Sequence, residues 1–451
     1  MRLSPAKCLA CVLIVALGLR LAAGWYWQGR LDRQGSGPFG FGDSDGYWVL
    51  AHQIARGEPY QYGPEGFRVF RTPGYPVLLA PLFLLSDAPP IMWGRALSAV
   101  LDSAAVAAVG WLAWRLFNPW AGVLAAAMAA VYPGSIAAGV LVLSEAPFCP
   151  LMLLHLGLWM AAWREKGTGP ICRNGPRPTF GWCPASHKLD LSPFPAIGLA
   201  LAAGLAAGAA TLMRPGWLLF IPFAVGIGVV FGRPRLRHLG LGAAMVVGLA
   251  AAMAPWWVRN ACVTGRFVPT TLQVGASLYD GWNPKATGAS DFELVEPVAK
   301  ELRGQIVAAD PSAAASGDWE FQLDARLRAE ALDWARNNLG RAAELAAVKL
   351  LRMWNVWPNE PGMSAWPIRW GVAITYVPIL ALGIWGAART LRRGWPYVLC
   401  WLPAVYFTLL HMVFVSSIRY RQPAMLGLMV LAAGVVGCWR VRDRREEKDE
   451  G

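Results

Sequence analysis

Apolar runs recur along this chain from Cys8 to Cys438, and nearly all of them approach the roughly 20 residues that an α-helix needs to cross a hydrocarbon layer. By that ruler about ten spans are expected, at residues 8–26, 90–114, 120–138, 146–163, 195–213, 216–232, 239–257, 369–388, 396–415 and 422–439. The chain therefore reads as an all-α polytopic membrane protein. Composition closes off the soluble alternative: 56% apolar residues, 15% charged residues and 24 Trp among 451 leave too little polar surface to cover a core in water. One piece, VLLAPLFLL after Pro76, is too short to cross and is expected to be re-entrant or interfacial.

Arg2 and Lys7 before an apolar run, with Ala22, Ala23 and Gly24 behind it, also fit a cleaved secretory signal. A retained first span is preferred, because Arg20 and the bulky Trp25, Tyr26 and Trp27 suit an aromatic belt better than a cleavage site. Basic residues collect in alternate short loops: Arg115; Arg164, Lys166, Arg173, Arg177 and Lys188; Arg233, Arg235 and Arg237; Arg389, Arg392 and Arg393; Arg440, Arg442, Arg444 and Arg445. That side is then cytoplasmic, as are both termini, and the expected location is the inner (plasma) membrane. The opposite short loops hold Arg214, Arg419 and Arg421. The net charge of +13 is thus a topogenic bias toward anionic lipid and gives no reason to read nucleic-acid binding.

The organisation that follows is a transmembrane module at 1–257 with a first outer loop at about 27–89, an outer-face segment at 258–368, and C-terminal helices with a charged cytoplasmic tail at 369–451. The outer-face segment starts loop-like and turns helical from Asp318, read as an N-cap, with Leu323, Leu327, Ala331 and Trp334 at helical spacing and a break near Asn338 to Gly340. Its last piece, ELAAVKLLRMWNVW, is amphipathic and suits either a helix lying on the membrane surface or one docked on the spans. The insert 164–194 is rich in Pro and Gly and reads as a loop. Cys172 and Cys183 lack zinc-ribbon spacing, the pair Cys8 and Cys11 has no second pair, and the eight cysteines imply no disulfide framework.

The chemistry concentrates in GDSDGYWVLAHQIARGEPYQYGPEGFRVFRTPGYP, directly after the first span. Asp43 and Asp45 precede a short helix with Tyr47, Leu50, Ala51 and Ile54 on one face, so either acid serves as a helix cap or, at a low-dielectric boundary, as a general base or metal ligand. Tyr47, beside the two acids, is carried as a substrate contact. Arg68 and Arg71 lie downstream, where guanidinium groups suit phosphate oxygens or lipid headgroups, and the stiff turn RTPGYP favours Arg71 for a substrate phosphate. Glu145 in LVLSEAPF is a lone acid at a span end, a functional candidate by default or the partner of an arginine. Arg214, Arg259, Arg419 and Arg421 stand at span ends on the same face, so an anion site there is expected. The five histidines show no ligand spacing, which leaves no built-in zinc centre to infer.

The order of GDSDGYWVLAHQIARG, RTPGYP, LSE, MRP, PWWVRN with GRFVP, and a late RYRQP resembles the polyprenyl-phosphate-dependent glycosyltransferases of the GT-C superfamily. The likeness is to the bacterial branch related to protein O-mannosyltransferases and lipid A aminoarabinose transferases, and it runs over about residues 8–440. The resemblance implies a sugar donor on a polyprenyl phosphate, an acceptor that is a lipid, glycan or protein, and transfer at the outer face of the membrane. It maps the catalytic acid onto Asp43, with Asp45 as the alternative, and phosphate-binding arginines onto Arg71, Arg259 and Arg419. Glu145 matches a recurrent acidic position. Some relatives use a divalent metal ion and others none, so the cofactor stays open. A single displacement with one base and one leaving-group site would invert the anomeric centre. Two other classes fit many spans and membrane-facing arginines: a transporter or flippase for a lipid-linked or anionic substrate, against which stand the missing inverted repeat and charges at one face, and a non-catalytic partner in an envelope assembly.

Overall fold

The computed structural model describes residues 4–35, 37–40, 42–165, 196–312, 317–358 and 365–449, and most of the proline-rich insert expected at 164–194 lies outside them. Every regular element among the described residues is helical, and one isolated bridge joins Tyr62 and Phe67.

The first helix, α1, runs over Pro5–Gln34, well past the expected boundary at 26, because hydropathy marks the hydrocarbon layer whereas helical hydrogen bonding continues through the polar QGRLDRQ until a stop signal. Ser4 caps its start, and Gly35 at φ 61 ends it in the left-handed conformation that glycine takes without a Cβ clash. Then follow α2 (Gly42–Arg56), which buries Tyr47, Leu50 and Ala51 as the face pattern predicts, and α3 (Gly74–Leu85), a 12-residue apolar helix too short to cross. Next come α4 (Ile91–Leu116), α5 (Pro119–Val131), α6 (Pro133–Val140), α7 (Glu145–Glu165) and α8 (Ala196–Met213). After these the chain forms α9 (Phe220–Phe231), α10 (Arg235–Thr264), α11 (Val274–Gly281), α12 (Phe292–Ala309), α13 (Asp318–Asn337), α14 (Leu339–Met353), α15 (Trp366–Thr390), α16 (Trp395–Val413) and α17 (Gln422–Asp449).

Among the described residues seven helices are long and apolar enough to cross a membrane, namely α1, α4, α7, α8, α10, α15 and α16. Two of the expected spans differ. Residues 120–138 do not form one helix: α5 and α6 meet at 61°, because Pro133 has no N–H for the carbonyl of Ala129 and pushes Tyr132 to φ −69, ψ 120. Arg20 supplies what the proline removes. Its guanidinium donates to the carbonyls of Ala129 and Ala130, 3.3 Å each, and to that of Ala16 at 3.0 Å, while Asp102 at 2.6 Å balances the charge inside the bundle. Residues 216–232 begin with a 3-10 turn at Pro215–Trp217, which leaves only the 12 residues of α9 in regular helix. The last expected span is the front half of α17, buried from Ala424 to Ala433.

Close helix contact comes from small residues. A Cβ on Gly204 of α8 would lie 2.1 Å from the carbonyl oxygen of Met245 on α10, and one on Gly248 of α10 would lie 2.2 Å from that of Leu201. Only glycine permits this approach.

The segment between α10 and α15 has its own small apolar core of Ala276, Val295, Leu302, Ile306, Trp319, Leu323 and Leu327. Asp318 is not its N-cap: Gly317 at φ 77 holds that position, and the Asp318 carboxylate instead takes the Arg266 Nε–H at 2.7 Å. The amphipathic α14 docks on the bundle through Ala342, Leu345, Lys349 and Met353. The Lys349 Nζ donates to the carbonyls of Gly281 and Val413, at 2.9 and 3.0 Å.

Candidate active site

Successive spans run antiparallel, so the start of α7, the turn after α8 and the turn before α17 meet at the same end of the bundle as α2. Each delivers one charge. Asp43 lies in the first turn of α2 and Glu145 is the first residue of α7, so both carboxylates sit at the positive end of a helix dipole. Arg214 precedes the Pro215–Trp217 turn, and Arg419 belongs to the 3-10 turn Ile418–Arg421. Arg71 comes from the irregular segment between α2 and α3.

These five side chains form one alternating row. Arg71 Nη2 lies 2.7 Å from Asp43 Oδ1, and Arg419 Nη1 lies 2.9 Å from Asp43 Oδ2. Arg419 also grips Glu145 through Nε and, at 3.2 Å, through Nη2. Arg214 Nη1 closes the row 2.5 Å from Glu145 Oε1. Glu145 is only 1% exposed, whereas Asp43 is 29% exposed, so Asp43 is the acid with room for a substrate. Three guanidinium groups against two carboxylates leave one positive charge at this point. Burial pushes the Asp43 carboxyl up, but Arg71 and Arg419 outweigh it and hold the group well below the usual carboxylate range.

Aromatic and hydroxyl groups hold the row in place. The Arg71 guanidinium lies over the rings of Tyr47, Tyr62 and Phe70, at 5.6, 5.3 and 5.7 Å. Tyr47 donates its hydroxyl to Ser144 at 3.3 Å, and Ser44 donates to the Leu141 carbonyl at 2.6 Å, which ties α2 to the turn leading into Glu145. Within that turn Val142 sits at φ 52, a region that β-branched residues rarely occupy.

The row edges a cleft of about 1260 Å³ whose lining combines Trp27, Ile368 and Val372 from the helix bundle with Phe292, Leu323 and Arg303 from the segment above it. Several buried donors in that lining, Arg71 Nε and Trp27 Nε1 among them, have no acceptor among the described residues. Unpartnered donors and an uncompensated positive charge suit a bound oxyanion.

Of the residues nominated from sequence, Asp43, Tyr47, Arg71, Glu145 and Arg419 come together here. Asp45 is exposed and stands outside the row and the cleft lining. Arg259 is elsewhere, stacked on Tyr60 and Trp256 at 5.2 and 4.8 Å and donating to the Tyr60 carbonyl. Arg68 is also outside the cleft lining, with its backbone N–H on Glu320 at 2.9 Å. Arg214, read from sequence only as one arginine among several on this face, is a full member of the row. Both acids are engaged by guanidinium groups, and among the described residues no three His, Cys, Asp or Glu side chains are grouped to share a cation.

No protein-family model and no curated sequence matches the chain. Its fold does match solved structures. The archaeal oligosaccharyltransferase AglB from Archaeoglobus fulgidus, in complex with an inhibitory peptide and a dolichol-phosphate, superposes with a TM-score of 0.54 at 15% identity over 99% of this chain and 52% of that one. The Archaeoglobus fulgidus oligosaccharyltransferase tethered to an acceptor peptide containing the NVT sequon gives 0.55 at 14% identity, over 96% and 49%. ArnT from Cupriavidus metallidurans bound to undecaprenyl phosphate gives 0.36 at 17% identity over 87% and 73%, too loose a superposition to argue from. The chain thus shares the fold of these oligosaccharyltransferase chains and spans about half their length.

Proposed function

We propose that this protein is a membrane glycosyltransferase that moves a sugar from a polyprenyl-phosphate donor to an acceptor at the outer face of the inner (plasma) membrane, with inversion at the anomeric carbon. The observation that carries the reading is the row Arg71–Asp43–Arg419–Glu145–Arg214 at the edge of a cleft lined by both apolar and charged groups. The oligosaccharyltransferase that shares the fold was solved with a dolichol-phosphate and, separately, with an acceptor peptide, the two ligand types this reading needs.

The apolar part of the cleft would take the isoprenoid and the arginines its phosphate, whose negative charge grows as the sugar–oxygen bond breaks. Asp43 would draw the proton from the acceptor hydroxyl or amine. Clamped between two guanidinium groups it is a weak base, so the donor has a second task. Its phosphate competes for Arg71 and Arg419, and every contact it takes from Asp43 returns basicity to that carboxylate.

The test is sugar release by the purified protein in detergent from a panel of polyprenyl-phosphate sugars. Turnover by the wild type that is lost in Asp43→Asn and Arg71→Ala supports the reading. A wild type that releases no sugar but moves the lipid-linked substrate between leaflets of a vesicle would make it a flippase.

A further inference from the structure

Arg71 is carried by residues 57–73, a stretch between α2 and α3 without regular secondary structure, so contacts other than a regular hydrogen-bond ladder must fix its course. Four ties stand out, two within the stretch and two from outside it. The Tyr62 and Phe67 backbones exchange hydrogen bonds at 2.7 and 2.9 Å, the Leu272 N–H donates to the Val69 carbonyl at 3.0 Å, and the Tyr60 hydroxyl lies 3.2 Å from the carbonyls of Arg71 and Thr72. The fourth tie comes from α13: the Glu320 carboxylate accepts the Arg68 N–H at 2.9 Å and the Val69 N–H at 3.0 Å.

That acid is 1% exposed and far from the Asp43 row in sequence, yet it holds the backbone two and three residues before the arginine that clamps Asp43. The same helix, one and two turns on, lines the cleft with Leu323 and Leu327. A molecule seated against α13 therefore presses on an element that grips the Arg71 segment directly. We propose that Glu320 is a positioning residue, which couples occupancy of the cleft along α13 to the placement of Arg71. This rests on the reading of Arg71 as a phosphate-binding residue.

The charged groups acting on Glu320 are Arg68 from the segment itself and Arg259 from α10. Burial pushes the acid up to about 7, against the opposing pull of the two backbone N–H groups and the two arginines. Its grip on the segment, strongest when ionised, accordingly tightens as the pH rises through neutrality.

The experiment has two readouts on the full-length protein in detergent. Hydrogen exchange of peptides covering 57–73, corrected for intrinsic rates, is expected to accelerate about tenfold at Arg68 and Val69 in Glu320→Gln, and by less in Glu320→Asp, with α7 and α10 unchanged as the control for folding. Undecaprenyl phosphate is expected to bind the Glu320→Gln variant roughly threefold to tenfold more weakly, and the double variant with Arg71→Ala no more weakly than Arg71→Ala alone. Unchanged exchange in Glu320→Gln overturns the proposal. Losses that add independently with Arg71→Ala overturn the coupling while leaving the phosphate site intact. A wild type that binds no lipid phosphate overturns the reading of the site itself, and the coupling with it.

Discussion

Replacing Arg419 with Met removes a side chain that touches both Asp43 and Glu145 while keeping much of its length and volume. Stranding a buried charge costs about 3–5 kcal/mol. Neither acid is stranded here, because Asp43 keeps Arg71 at 2.7 Å and Glu145 keeps Arg214 at 2.5 Å. The expected loss of stability is therefore smaller, about 2 kcal/mol. Turnover should suffer more. A preorganised positive group at the site of developing charge is worth about 10²–10³ in kcat, or roughly 3–4 kcal/mol. The pH dependence moves in a defined direction as well. Asp43 is held below its unfolded value, so its contribution to stability is present above the ordinary carboxylate range and is lost only as the pH falls toward the lower folded value. With Arg419 gone the folded value rises, so that contribution is smaller and its loss is complete at a higher pH, and the acid limb of kcat/KM shifts upward with it. Transfer rates from a labelled donor between pH 4 and 9, beside SDS titration of the folded fraction, measure both effects. A variant with wild-type kcat and an unmoved acid limb would refute the assignment of Arg419 to the leaving phosphate and to the clamp on Asp43.

Asp43→Asn should lower transfer by about 10²–10⁴-fold, whereas the exposed Asp45→Asn should stay within about twofold of wild type; sugar release from labelled donor measures both. Arg20→Leu leaves Asp102 unpaired inside the bundle and two carbonyls of α5 without a donor, and should cost about 3–5 kcal/mol by SDS titration, part of it regained when Asp102→Leu is added. EDTA should leave the transfer rate unchanged, because Asp43 and Glu145 spend their oxygens on arginine. A loss restored by Mg²⁺ or Mn²⁺ would show that these acids exchange partners during turnover.

Hydropathy reports how much chain a hydrocarbon layer demands, and for that reason it placed the centres of the seven long apolar helices accurately. It does not report where hydrogen bonding stops. α1 runs on to Gly35 and α10 to Gly265, both of which take the left-handed conformation at the stop. The second overrun explains the misplacement of Arg259, which was expected just beyond a span ending at 257. It lies instead inside α10, more than a turn before the helix end, where its guanidinium meets Tyr60, Trp256 and Asn260. The break at Pro133 is written in the sequence as Tyr-Pro-Gly, yet the apolar run continues through it, and the charge that compensates for it, Arg20, lies 109 residues from the carbonyl it serves.

Membership of the row follows a similar logic. Antiparallel alternation of spans already requires Glu145, Arg214 and Arg419 to share one end of the bundle, which is why charges at span ends single out the right face. Choosing among arginines on that face needs the directions in which the turns point them. Arg214 and Arg419 both leave short 3-10 turns that aim inward at a single buried acid. Glu320 gave still less away, because an acid in the first turn of an amphipathic helix is already accounted for by the helix dipole. Its near-complete burial and its two backbone partners, some 250 residues away, make that account insufficient, since a surface acid serving only the dipole would have stayed in water.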